Sequence, residues 1–217
     1  NRDSHAVALQ VLGGDGQALS LNAGPRSGGD DGLLPEGWGA WSAGTITIGQ
    51  RDATASAQGF DIRSDGLTLG ADYRFDGGSV AGIALGHGWG ESPLDDGRSA
   101  VEGEQLSLAA YGLWRFDSLF VDGLLGWGQL DFDIARYSSV ADATARARRE
   151  GDQWFGSLTL GWEMASSLVG YTRFDASRST LEAYREFGLG IYDLAYTRQR
   201  VDQSTVSAGV EGRHRWE

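Results

Sequence analysis

From Trp38 onward, apolar and polar residues alternate with a period of two, in segments separated by turns. The cleanest segment covers 154–164: Trp154, Leu158, Leu160, Trp162 and Met164 share one phase, and Ser157, Thr159, Gly161 and Glu163 share the other. Leu67, Leu69, Ala71, Tyr73 and Phe75 alternate with Thr68, Gly70, Asp72 and Arg74. Leu106, Leu108, Ala110, Gly112, Trp114 and Phe116 alternate with Gln105, Ser107, Ala109, Tyr111 and Arg115. Successive side chains of a strand point to opposite faces, so each segment predicts a strand with one apolar face. Along 81–89, Ala81, Ile83, Leu85 and Trp89 oppose Gly82, Ala84, Gly86 and Gly88, small residues that let a neighbouring backbone or a large ring approach.

Further strands are predicted over 38–49, 119–133, 168–181 and 192–216, the last as one strand or as two divided by a turn at 200–204. The total is about eight strands. Their apolar faces run roughly 9 to 11 residues, the length a tilted strand needs to cross a hydrocarbon layer. Short connections, Asp76-Gly77-Gly78, Asp117-Ser118 and Ala165-Ser166-Ser167, alternate with longer polar ones at 51–66, 91–103, 136–153 and 182–188. In an up-and-down barrel, connections of one parity lie at one end. The order therefore predicts a short-turn end and a long-loop end, the polarity of outer-membrane barrels. Residues 1–37 read differently: Gly13-Gly14-Asp15-Gly16 and Ser27-Gly28-Gly29-Asp30-Asp31-Gly32 are linker chemistry around one apolar stretch at 7–12. This segment is expected to be a linker or passenger remnant, and 38–217 a barrel.

Alternation alone does not tell a membrane barrel from a soluble one, which would bury its apolar phase inside. Trp38, Trp89, Trp114, Trp154 and Trp162, with Phe116, fall at or near segment ends on the apolar phase, where two interfacial girdles would place them. Asp72, Arg74, Arg115, Asp122, Glu163, Arg173 and Asp175 fall on the polar phase, where a dry core would be costly and a wet lumen is not. Composition agrees: 34 Gly, 3 Pro and 8 Trp suit many strands with tight turns, and no run reaches the roughly 18 apolar residues of a membrane helix. The absence of Cys fits an exported protein, and a net charge of -12 disfavours nucleic acid as a partner. The first residues, Asn1-Arg2-Asp3-Ser4-His5, contain no signal-peptide pattern, so the chain is expected to be a piece of a longer protein.

Phe120-Val121-Asp122-Gly123-Leu124-Leu125-Gly126, Asp131-Phe132-Asp133 and Gln153-Trp154-Phe155-Gly156-Ser157-Leu158-Thr159-Leu160-Gly161 resemble the middle strands of the autotransporter (type V secretion) translocator domain. Leu34-Pro35-Glu36-Gly37-Trp38-Gly39-Ala40-Trp41 resembles the start of that barrel, Gly66-Leu67-Thr68-Leu69-Gly70-Ala71-Asp72-Tyr73-Arg74 its second strand, and Leu181-Glu182-Ala183-Tyr184 a later segment. Each motif is short and Gly-rich; their order and spacing carry the resemblance. It implies an all-β transmembrane antiparallel barrel of twelve strands, eight of them present here, in the outer membrane of a Gram-negative bacterium. It also implies an anchor that lets an N-terminal passenger reach the surface, with membrane lipid, the passenger and the barrel assembly machinery as partners and no cofactor. The lumen charges would meet a linker or a passing segment. Two features depart from the family: Arg215-Trp216-Glu217 is not its terminal Phe, and nothing before Leu34 resembles a passenger domain.

Other readings are a small pore or adhesin barrel that closes on itself, and a lipid-hydrolysing barrel. For hydrolysis, His5, His87 and His214 lie outside any nucleophile motif, which leaves a lipid-facing pair of His87 with Ser92, against the simpler view of His87 as an interfacial ring. Three scattered His without Cys give no metal-ligand spacing. Alanine density around Ala141, Ala143, Ala145 and Ala147 lends 138–151 some helix propensity. Its Arg146, Arg148 and Arg149 could meet lipopolysaccharide phosphates, although a solvated loop is the plainer expectation.

Overall fold

The computed structural model describes residues 35–51, 60–94, 96–165 and 168–212. Residues 1–34 of the linker expected over 1–37, residues 52–59 of the loop expected over 51–66, Asp95, the turn residues Ser166-Ser167 and the residues after Gly212 lie outside them. Eight long strands form one antiparallel sheet: β1 (Trp38–Arg51), β2 (Phe60–Arg74), β3 (Val80–Pro93), β4 (Ala100–Phe116), β5 (Leu119–Ser138), β6 (Ala143–Ala165), β7 (Leu168–Leu181) and β10 (Gln199–Gly212). Two short strands, β8 (Tyr184–Arg185) and β9 (Ala195–Tyr196), pair within the connection from β7 to β10. Every long strand lies beside the long strand before it, β10 beside β7, and the sheet is open with β1 and β10 at its edges.

The short connections follow from local chemistry. Between β2 and β3, Gly77 and Gly78 take φ of 87° and 84°, left-handed backbone that glycine adopts without strain. Asp117 makes the turn between β4 and β5 at φ 51°, a conformation Asp tolerates better than most residues.

Several expectations at the long-loop end are corrected. The 138–151 segment is neither helix nor loose loop: β5 and β6 continue as a paired hairpin to Ser138↔Ala143. Alternate burial overrides alanine propensity there, since Ala145 and Ala147 are buried while Thr144 and Arg146 are exposed. Residues 200–204 are no turn, because β10 runs unbroken in register with β7. Part of the loop expected at 51–66 is strand from Phe60 onward.

No dry core lies between layers. Leu69, Leu108, Leu158 and Leu160, on the apolar phase, are 52 %, 54 %, 46 % and 52 % exposed, and no large side chain among the described residues is fully buried. A soluble barrel would have hidden these residues. The opposite face is concave, as its contacts show. Trp41 of β1 donates to the Tyr111 hydroxyl of β4, and Tyr111 donates to Asp72 Oδ2 of β2 at 3.1 Å. Gln105 of β4 reaches Gln153 of β6. Side chains meet over intervening strands only where the wall curves toward them. On the convex face the ion pairs join neighbouring strands: Arg148 with Asp131, and Arg178 with Asp202.

Candidate functional site

The candidate site is the wall itself, with its two faces. On the convex face the apolar phase is bounded at both ends. Toward the short turns stand Trp38, Tyr73, Phe75, Trp114, Phe116 and Trp162; toward the long loops stand Trp89, Trp127 and Trp154, the last two in register. The five predicted girdle tryptophans, Trp38, Trp89, Trp114, Trp154 and Trp162, are all on this face, between 43 % and 53 % exposed. Trp127 was not singled out in the sequence because it sits mid-segment; its register partner Trp154 places it in the row. From Leu106 to Phe116, β4 covers about 34 Å. Tilted by about 40°, that is about 26 Å, matching the apolar band of outer-membrane barrels.

Beyond the upper row the same phase turns charged. Asp65, Glu91, Glu102, Glu104, Asp131, Asp133 and Arg148, with His87 and Trp89, line a recess of about 810 Å³. The expected arginine cluster is divided between faces: Arg146 and Arg148 are exposed on the convex side, while Arg149 is buried on the concave side, its guanidinium over the Tyr184 ring. The Ser-His pair does not form. His87 is on the convex phase beside the Trp89 ring, and Ser92, five residues along the same strand, is on the other face.

On the concave face, aromatic rings lie across glycines of the paired strand. Gly70 faces Trp41, Gly82 Tyr111, Gly126 Phe155, Gly161 Phe120 and Gly209 Tyr171; a Cβ at any of these glycines would fall 2.1–2.7 Å from the ring. The small phase of β3 thus serves as a ring seat at Gly82, while Gly86 meets the Ser107 hydroxyl instead. The predicted charges sort into three groups. Asp72 joins Tyr111 and Trp41. Arg173 holds Asp175 through Nε and Nη2 at 2.9 and 2.7 Å, with Asp122 and Arg173 both in register with Thr159. Arg115 contacts Glu163 at 3.5 Å near the short-turn end, where Arg74 is exposed. A polar ladder of Gln105, Gln153 and Ser179, and the Arg136–Glu186 pair, were not anticipated: their members are far apart in sequence, and only curvature brings them together.

Outside the wall, the β3–β4 connection is built around Asp96, which accepts the Arg98 and Ser99 amides and the Ser99 hydroxyl; these bonds hold its carboxyl below the usual range. Glu186, its side chain 1 % exposed, is likewise held below the usual carboxylate range, first by its hydrogen bonds to Arg136 and then by the Leu194 amide, against the cost of burial. Among the described residues no group of His, Asp or Glu is arranged to hold a metal ion.

A face apolar for one membrane thickness, a polar concave face and end-to-end loop asymmetry together describe an outer-membrane barrel wall, and comparison with known proteins agrees. The fold matches the translocator domain of the autotransporter NalP from Neisseria meningitidis with a TM-score of 0.70, at 16 % identity, over 82 % of this chain and 63 % of that one. In sequence, the chain is 30 % identical over 156 residues to Lipase 1 of Photorhabdus luminescens, covering 66 % of this chain and 23 % of that protein. It is 26 % identical over 196 residues to Esterase EstA of Pseudomonas aeruginosa, covering 82 % of this chain and 30 % of that protein. The chain thus spans under a third of the length of these relatives. Because the Autotransporter beta-domain family pattern covers residues 40–217, this chain belongs to the autotransporter β-domain family and is an outer-membrane translocator barrel.

Proposed function

We propose that residues 38–217 anchor a passenger in the outer membrane with the convex face in lipid, and that residues 1–37 are the linker through which the passenger is drawn along the concave face. The observation that carries this reading is the single phase that is apolar between two aromatic rows and charged beyond the upper one. In this reading Asp72, Arg74, Arg115, Asp122, Glu163, Arg173 and Asp175 line the lumen. Their pairing along the wall leaves it polar but nearly neutral, so a segment in transit meets water and hydrogen-bonding groups rather than a trap of one sign. The barrel assembly machinery is the partner that inserts it.

The wall supplies no catalytic group in this account, and any hydrolysis belongs to the passenger. Relatives named as a lipase and an esterase support an ester-hydrolysing passenger. Intact cells producing the full-length protein should hydrolyse a short-chain p-nitrophenyl ester, and protease added outside should release that activity while the barrel stays membrane-bound. Activity retained by the protease-trimmed barrel would contradict the assignment. A passenger inaccessible to protease on cells with a correctly inserted barrel would contradict transport.

A further inference from the structure

We propose that residues 186–194 form a strap across the outward mouth of the passage, held in place by the Arg136–Glu186 pair, and that release of this latch widens the mouth; the proposal rests on the translocator reading. Beyond the upper aromatic row the end of β7 keeps following β6. The Glu182 amide donates to the Glu150 carbonyl at 2.8 Å, and Arg146 and Phe187 exchange backbone bonds at 2.9 and 3.0 Å. After Phe187 the chain leaves the sheet through Gly188 and Gly190, at φ +116° and +63°, into a short 3-10 turn, Gly190–Tyr192.

That turn is drawn to the concave side. Arg136 of β5 shares a face with its register partner Ala145, which is 1 % exposed on the buried, concave phase of β6. Ala145 and Ala147 are small enough for the Arg136 side chain to pass over β6 to Glu186, with Nε 2.8 Å from Oε1 and Nη2 on Oε2. Nη2 also donates to the Tyr192 carbonyl at 3.3 Å, so one guanidinium holds both the foot and the turn of the strap. Glu186 closes the loop from within: its carboxylate accepts the Leu194 amide at 3.1 Å and its own amide donates to the Leu194 carbonyl at 2.8 Å. The tip, by contrast, is unsupported, with Ile191 91 % exposed. Arg136, through its planar two-point ion pair with Glu186 and its bond to the Tyr192 carbonyl, is the one side chain of the β5–β6 hairpin hydrogen-bonded to the strap among the described residues, the arrangement of a latch on a hinge of two glycines.

The test is single-channel conductance of the full-length protein in planar bilayers, for the parent, Arg136→Ala, Glu186→Ala, the isosteric Glu186→Gln and the swap Arg136→Glu/Glu186→Arg. Insertion is checked for each by heat-modifiable migration on gels. The proposal predicts a higher conductance or open fraction for the single variants, Glu186→Gln included should Glu186→Ala fail to insert, and a return toward the parent value for the swap. Inserted single variants that conduct like the parent, whether both conduct or both are silent, would overturn it. Passenger exposure on intact cells is scored in parallel: its loss in the parent counts against translocation, whereas normal exposure with unchanged conductance counts against the strap alone.

Discussion

Gly82 illustrates how little room the concave face leaves. A Cβ there would lie 2.5 Å from the Tyr111 ring and 2.7 Å from the Ala71 carbonyl, and the carbonyl cannot step aside as a side chain can. Gly82→Ala should therefore lift Tyr111 from Asp72 and destabilise the barrel by about 1–3 kcal/mol, read from urea unfolding of the full-length protein in vesicles. An unchanged midpoint would refute the seat. On the convex face, Leu158→Arg should cost about 2–4 kcal/mol in the same assay, and Thr159→Arg much less, if only the first meets hydrocarbon. Glu186 makes a pH prediction. Its folded-state pKa is depressed, chiefly by Arg136, so its contribution is fully present above the ordinary glutamate value and is lost as pH falls through the lowered folded value. Tyr184, which lies beside this pair, is pushed above the ordinary tyrosine range, first by burial, and so stays neutral over that range. The strap should resist pepsin at mildly acidic pH and open only in stronger acid, and Glu186→Gln should remove that dependence; cleavage at a pH unaffected by Glu186→Gln would contradict the latch.

At the scale of elements, the alternation made the eight long strands legible in order and the ends of β1, β3 and β7 legible to within a few residues, because one face of each is apolar between its ends, whereas β2 and β6 start well before the alternating segment and β10 starts after it. It was weakest where that contrast fades. Residues 143–151 carry alanines on one phase and arginine, glutamate and threonine on the other, so propensity and pattern disagreed, and pairing with β5 decided the outcome. On β10 the convex phase carries only Val206, Ala208 and Val210, while Val201, in register with Ser179, falls on the concave phase, so the apolar pattern breaks there and admits a turn at 200–204. The girdle tryptophans and the polar-phase charges were readable because strand phase is a local property. Their partners were not, since Trp41 with Tyr111, or Gln105 with Gln153, meet through curvature that no local pattern encodes. The open edges have a consequence of their own. Unpaired amides in a hydrocarbon layer cost several kcal/mol each, so the edges of β1 and β10 must find strand partners in the membrane. Hydrogen exchange on the inserted full-length protein should find the amides of β10 protected on both sides; rapid exchange along the edge away from β7 would show that edge to be bare.

For the molecule as a whole, two faces of opposite character on one thin wall make sense in a membrane and nowhere else: in water the convex face would expose an apolar band far larger than soluble monomers tolerate. In the proposed function, the concave face and the outward extension of the strands are the passage and its mouth. These 217 residues contain no cysteine, so a single introduced cysteine is the one spin-label site within this domain. The most direct measurement is power-saturation spectroscopy at positions 158, 159 and 160 of the full-length protein in liposomes. The account predicts labels at Leu158 and Leu160 relaxed by oxygen, as in lipid, and the label at Thr159 relaxed by a water-soluble nickel chelate. Labels at 158 and 160 shielded from both reagents, or the opposite alternation, would contradict it.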